Sequence, residues 1–248
     1  LISDVTGDAP ADIASGPCAA DYSTYLDALN IIESYRLQEL IPASVMNHLK
    51  QGVEGQKPET LKDIDLVSAR VSNHVIATAY KSLEAAANFV RTHGYEPIVL
   101  GDTITGEAQE VGAAQAQLAR EYFAKTDKAN KPLALISGGE CTVTIPAGTK
   151  GRGGRCSEYL LSLFANSADL PMMAALAADT DGIDGSEKNA GAWFDGGTRG
   201  LAKANGIDPA KYLKAHDCYG FFAQLGALVE TGPTLTNVND FRIILLDK

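Results

Sequence analysis

The sequence predicts an α/β fold in which a largely parallel sheet is flanked by helices. Three observations carry that expectation. From residue 74 onward, strand-like and helix-like stretches alternate, as they do in sheets built through helical crossovers. The stretch 172–178, MMAALAA, is apolar at every position, which suits a strand covered on both faces. Loops rich in glycine or aspartate follow the strands at 132–137 and 172–178, the edge of an open sheet where ligands sit.

At 248 residues the chain has room for two modest domains, and a formal net charge of −10 argues against a nucleic-acid partner. No apolar run approaches the roughly 20 residues of a membrane span, so no membrane partner is expected. The chain opens without a charged stretch leading into an apolar one, and a cytoplasmic setting is expected. Cys18, Cys141, Cys156 and Cys218 show no metal spacing and are expected as free thiols. Leu1-Ile2-Ser3 reads as the end of a buried strand, so a longer protein is expected.

Taken in order, residues 1–20 carry turn chemistry, and a helix is expected over 21–39 with Asp21 as its cap. Tyr25, Leu26, Leu29, Ile32 and Tyr35 recur there at helical spacing. Pro42, Gly52, Gly55 and Pro58 break the stretch 41–65 around a second short helix, and the domain boundary is placed near 70. Beyond it the pattern predicts strand 74–79, helix 81–92, strand 96–101, helix 107–124, strand 132–137, helix 156–166, strand 172–178 and a last strand 241–246. A hairpin is expected at 141–145. Short helices are expected between 198 and 230, with Asp208-Pro209 as a cap and first-turn pair.

Three loops could carry chemistry. In the first, Gly138-Gly139-Glu140 ends a strand, and Lys150-Gly151-Arg152-Gly153-Gly154-Arg155 leads into a helix. Glycines let a backbone approach a ligand, and cations at a helix start favour an anion, so a phosphate or carboxylate suits this loop. An ordinary solvated loop uses the same residues. It is no Walker loop, because Lys150 lies between Thr149 and Gly151, and no dinucleotide fingerprint, because Cys156 stands where a glycine is required. The second loop places Asp179, Asp181 and Asp184 past a strand end, where Mg²⁺ or simple turn closure would account for three close carboxylates. Their spacing of 1, 3, 6, with Ala190 at the twelfth position, is not an EF-hand. In the third, Thr234, Thr236, Asn237 and Asn239 offer neutral hydrogen-bonding groups to a hydroxylated acid or a ribose, or close a tight connection. His48, His74, His93 and His216 have no catalytic spacing and are expected to be structural or on the surface. Cys156 is placed for a lowered pKa beside Arg155, without a base, and is read as incidental.

Five motifs in order, SDVTGDAPADIASGP, ISGGE with TVT, GRGGR, AADTDGIDG and TGPTLTNVND, resemble the glycerate 2-kinase family whose C-terminal region is called MOFRL. The resemblance covers essentially all 248 residues. It implies that 1–70 is a remnant of an N-terminal α/β domain and 71–248 a C-terminal MOFRL-type domain, the rest of the N-terminal domain being a missing partner. It further implies ATP-dependent phosphorylation of D-glycerate to 2-phosphoglycerate. Hydroxypyruvate reductase, an NAD(P)H-dependent activity also named in the family, is the rival, and a silent fragment that binds a small acid is a third reading. By this resemblance Arg155 and Asp181 are catalytic, Glu158 continues the pattern, and Asp181 and Asp184 face the interdomain cleft. A catalytic lysine lies in the missing domain, so this piece alone is expected to be inactive. Assembly into a homo-oligomer stays open. Two departures stand out: Cys156-Ser157 replaces a common Asn-Gln pair, and Leu235 stands where glycine is usual.

Overall fold

A computed structural model describes residues 1–68, 70–125 and 131–247; Ala69 and Lys248, within the two expected domains, lie outside the described residues. The chain divides into two compact units, Leu1 with Ala9–Val75, and Ile2–Asp8 with Ile76–Lys248.

Among its described residues the smaller unit is built of helices and turns. A 3-10 turn at Ile13–Ser15 precedes α1 (Tyr25–Ser34), α2 (Ala43–Val53) and α3 (Asp63–Ser68). The cap of α1 is Thr24 rather than Asp21. Thr24 and Asp27 form a reciprocal capping box, while Asp21 accepts from the Ser23 N–H at 2.9 Å and closes the turn before it. The predicted helix also ends early, because Arg36 turns left-handed at φ 54°.

The larger unit begins with α4 (Ala79–Thr92), β1 (Glu96–Gly101), β2 (Gly106–Glu107), α5 (Ala108–Lys125), β3 (Leu133–Gly139) and β4 (Cys141–Thr142). It continues with α6 (Arg155–Asn166), β5 (Met173–Asp179), β6 (Gly191–Phe194), α7 (Gly196–Ala204), α8 (Pro209–Lys214), α9 (Cys218–Gln224), β7 (Leu228–Val229) and β8 (Asp240–Leu246). Asp208 caps α8 with Pro209 in its first turn, as expected. The expected strand at 74–79 is absent apart from one bridge between Ile2 and Ala77; Thr78 caps α4 instead, and Ile76 is 68% exposed. Nor does 141–145 form a hairpin, since β4 pairs in parallel with β2.

The sheet order is β1-β3-β8-β5-β6-β7. The α/β class holds, but the expectation of a largely parallel sheet needs correction. In this sheet the β1–β3 pairing is parallel, and β3–β8, β8–β5, β5–β6 and β6–β7 are antiparallel. Strands β1, β3 and β5 do run in one direction, joined by the helical crossovers that the alternation predicts. However, β8 enters from the loop at their carboxyl edge and fills the space between β3 and β5, so it must run back. Both sheet faces hold apolar clusters. On one, Leu133, Leu135, Met173, Ala175, Ile244 and Leu246 pack with Tyr159, Leu160 and Leu163 of α6. On the other, Leu83, Ala87 and Val90 of α4 cover Ala134, Ile136, Phe241, Ile243 and Leu245. Because α4 lies over β1, β3 and β8, Ala174, Leu176 and Ala178 of β5 are only half-buried, unlike the doubly covered strand expected. No helix among the described residues is long and apolar enough to cross a membrane.

Candidate active site

The carboxyl ends of β3 and β5 meet the start of β8 at one edge. In register, Gly139 and Asp179 both face Asp240, so two carboxylates sit directly across a strand pair. Such like-charge pairs are unfavourable unless a cation intervenes. Arg155, the first residue of α6, supplies it. Its Nε donates to Asp240 Oδ1 at 2.8 Å, Nη2 to Asp179 Oδ2 at 2.7 Å and Nη1 to Glu140 Oε1 at 3.0 Å. Asp240 takes a second guanidinium from Arg242, which is fully buried on the same strand face, donates at 2.8 Å and lies 5.1 Å from the Tyr159 ring centre. Burial, with the charges of Asp240 and Asp181, pushes the Asp179 carboxyl up to about 6 against the opposing pull of the Asp181 N–H and Arg155. Burial also works against the Arg155 charge, but Asp240, Asp179 and Glu140 outweigh it and raise its pKa.

The other two loop cations stand apart from this cluster. Lys150 is exposed. Arg152 is exposed as well, 3.9 Å from Asp217 and over the Tyr219 ring at 4.8 Å. The loop's glycines serve the protein's own packing. A Cβ on Gly151 would lie 2.1 Å from the Ala215 carbonyl oxygen, and one on Gly154 2.3 Å from Asp184 Oδ1. A Cβ on Gly153 would lie 3.1 Å from the Tyr219 backbone nitrogen, a tight contact without overlap, while Gly138 and Gly139 pair with β8. Cys156 is completely buried, and burial foremost raises its thiol pKa well above the ordinary value, so the arginine beside it creates no thiolate.

Asp184 is buried and fully engaged. Its Oδ1 accepts the Cys156 N–H at 2.9 Å and its Oδ2 the Ser157 N–H at 2.8 Å and the Ser157 hydroxyl. The N-cap of α6, Gly154, has no side chain, and Asp184 satisfies the helix's first donors from a distant loop. Burial raises its pKa, with these hydrogen bonds opposing. Asp181 differs. Its Oδ1 accepts from the Ile183 N–H at 2.7 Å, and its Oδ2 has no hydrogen bond among the described residues. Those residues contain no cluster of three metal-capable side chains. The threonine-rich loop docks onto the aspartate loop: the Thr234 N–H donates to the Asp181 carbonyl at 2.9 Å and its hydroxyl to the Thr180 carbonyl at 2.6 Å. Asn237 Oδ1 accepts from the Asn239 N–H at 2.9 Å, Asn239 is buried, and Thr236 is exposed.

A cavity of about 420 Å³ opens beside Arg155, lined also by Cys141, Val143, Glu158, Ser186 and His216. Glu158 is buried there. Its Oε1 accepts from Gln109 Nε2 at 2.7 Å and from His216 Nδ1 at 2.9 Å. The sequence alone points to His216 as structural or on the surface and does not bring Asp240 and Arg242 into one cluster; the structure places His216 on the cavity wall, paired with Glu158. The alternation Asp240-x-Arg242 at the head of an apolar strand is a legible signal for those two residues. For His216 there is none, because its partner lies 58 residues away.

The MOFRL family model matches residues 133–240, and a model described as a domain of unknown function (DUF4147) matches residues 1–50. An Agrobacterium vitis protein named "Putative hydroxypyruvate reductase" is 44% identical over 99% of this chain and 61% of its own length. A Pyrococcus horikoshii protein named glycerate 2-kinase is 39% identical over 99% of this chain and 55% of its own length. The crystal structure of a Thermotoga maritima glycerate kinase superposes with a TM-score of 0.83 at 36% identity, covering 99% of this chain and 56% of that one. The chain thus spans little more than half the length of these relatives. On these matches, residues 133–240 form a MOFRL-family region, and the chain as a whole is similar to proteins named glycerate 2-kinase and hydroxypyruvate reductase.

Proposed function

We propose that this chain is the C-terminal portion of an enzyme that transfers a phosphoryl group from ATP to D-glycerate, giving 2-phosphoglycerate. The observation that carries the reading is Arg155: a permanently charged guanidinium, held by Asp179 and Asp240, that borders a cavity at the carboxyl edge of the sheet. Phosphoryl transfer needs positioning and fixed positive charge more than covalent chemistry. Glu140 is the third partner of Arg155 and 52% exposed at its side chain, so it is the arm that a phosphate oxygen would displace. Lys150 and Arg152 add positive potential on the same loop, and Thr236, with Thr234, Asn237 and Asn239 bracing its loop, offers a neutral contact. Mg²⁺ bound with the nucleotide would neutralise phosphate charge. Asp181, with one oxygen unengaged, is the residue to hold it, whereas Asp179 and Asp184 spend their oxygens on Arg155, the Asp181 N–H and α6.

On this reading, 1–70 is what remains of an N-terminal domain and the rest of that domain completes the site, so the 248-residue chain alone does not turn over. The test is ADP release by the full-length enzyme with D-glycerate and ATP, run beside NADH and NADPH oxidation with hydroxypyruvate. Phosphorus NMR of the product distinguishes the 2- from the 3-phosphate. ADP release with a 2-phosphate product supports the proposal; reduced-nucleotide oxidation without ADP release overturns it in favour of hydride transfer.

A further inference from the structure

We propose that His216, oriented by Glu158, receives the proton of the acceptor hydroxyl as the phosphoryl group is transferred; this rests on the phosphoryl-transfer reading above. His216 Nδ1 donates to both Glu158 oxygens, at 2.9 and 3.0 Å, and its side chain is only 13% exposed. A carboxylate takes a proton donor at Nδ1, which leaves the lone pair of the neutral ring on Nε2. That nitrogen has no protein partner among the described residues, and His216 lines the same cavity as Arg155. A ring placed only to satisfy Glu158 has no need of a cavity wall.

The surroundings hold the ring in place from several directions. His216 adopts a left-handed backbone, φ 51°, a conformation that costs a residue with a Cβ and persists where its surroundings enforce it. Its N–H donates to the Leu213 carbonyl, and Gly151 packs so closely on the 215–216 backbone that no side chain fits there. Glu158 is fixed in turn by Gln109, with the Cys218 thiol 3.8 Å away. The charged and titratable groups around the ring and its cavity include Glu158 and Arg155 of α6, Cys218 of α9, Glu107 at the end of β2, Cys141 of β4, and Asp217 with its partner Arg152. In the step proposed, the hydroxyl O–H bond breaks and its proton goes to Nε2, while the oxygen forms a bond to the γ-phosphorus. The bond from that phosphorus to the bridging oxygen breaks, ADP leaves with the electron pair, and the imidazolium, stabilised by Glu158, later releases its proton to water.

Two measurements test this. In the full-length enzyme, His216→Asn and His216→Gly both tolerate the left-handed backbone, so the turn itself is not strained by the change. We expect kcat to fall about 10²–10⁴-fold with KM for D-glycerate within a few-fold, loss of the acid limb of the pH profile, and partial rescue of the glycine variant by imidazole. Unchanged kcat overturns the proposal, and so does a slower enzyme whose acid limb persists, since that is packing alone. Independently of turnover, long-range proton–nitrogen NMR of the 248-residue chain should show the neutral His216 ring protonated at Nδ1 and bare at Nε2. An Nε2–H tautomer sinks the proposal. Absence of ADP release from the wild-type enzyme would instead defeat the phosphoryl-transfer reading, with the tautomer result still deciding the geometry of the pair.

Discussion

Asp179 on β5 and Asp240 on β8 stand directly across from each other, and Arg155 bonds to both, at 2.7 and 2.8 Å. The guanidinium therefore has two duties, neutralising a buried carboxylate pair and presenting charge to the cavity. Arg155→Ala should reduce turnover of the full-length enzyme by about 10²–10³. It should also destabilise the chain by about 3–5 kcal/mol, the range for breaking a buried ion pair, less whatever Asp179 recovers by taking up a proton. Lysine is no substitute, because a single ammonium cannot reproduce the planar three-way fork. Urea denaturation and kcat together check this; a variant that keeps both values would reduce the network to incidental contacts.

Asp179 gives the pH dependence a definite sign. Its carboxyl is pushed up to about 6 from an ordinary 3.8, so between those values the folded chain retains a proton that the unfolded chain has released. Its contribution to stability therefore falls as pH rises from about 4 to about 6 and levels off above. Asp179→Asn abolishes that dependence. The stability of the variant relative to wild type, measured by denaturation at a series of pH values, should climb through this window; a decline would mean that Asp179 stays ionised in the fold.

Leu235 sits at φ 62° and is 95% exposed, so it bears the cost of a left-handed backbone without burying its side chain. Leu235→Gly removes the Cβ conflict, worth about 1–2 kcal/mol, and adds chain entropy to the unfolded state, worth about 0.4–1 kcal/mol in the other direction. A net stabilisation of about 1 kcal/mol is expected in thermal or urea unfolding, and a destabilised variant would show that this loop geometry is wrong.

How legible these features are in the sequence depends on whether their cause is local. The periodicity of α5 and α6, the apolar runs of β1, β3 and β8, and the Asp208-Pro209 start of α8 are decided within a few residues, and the structure has them. Leu235 is a local case too, since the left-handed demand falls on one residue's own backbone. The cap of α1 is equally local: Thr24-x-x-Asp27 is written in the chain, and Asp21, three residues earlier, closes the preceding turn instead. By contrast, the insertion of β8 between β3 and β5 depends on which distant strands leave a gap, and the facing pair Asp179–Asp240 follows only from that. The glycine loop points to an anion when read alone; its tight fit against Ala215 and Asp184 is a tertiary constraint that happens to demand the same residue type. His216 and Glu158 meet only because α6 and the α8–α9 turn do.

Asp181 and Asp184 lie three residues apart in one acidic loop, yet their environments assign them opposite work. Asp184 gives both oxygens to the first N–H groups of α6, where a carboxylate also complements the helix dipole. Replacing it by asparagine turns one acceptor into a donor facing a backbone N–H and leaves that donor unsatisfied. A loss of about 1–3 kcal/mol is expected, with the Mg²⁺ dependence of the surviving enzyme unaltered. In Asp181 one oxygen holds the Ile183 N–H, and an asparagine carbonyl can keep that bond, so Asp181→Asn should leave unfolding within about 0.5 kcal/mol of wild type. Its free oxygen is the one available to a metal, and the Mg²⁺ concentration needed for half-maximal turnover at saturating ATP should rise. Mg²⁺ titrations and unfolding curves of the two variants should therefore separate cleanly. If Asp181→Asn alters neither turnover nor Mg²⁺ dependence while Asp184→Asn alters both, the metal contact must be reassigned and the free oxygen of Asp181 is merely solvated.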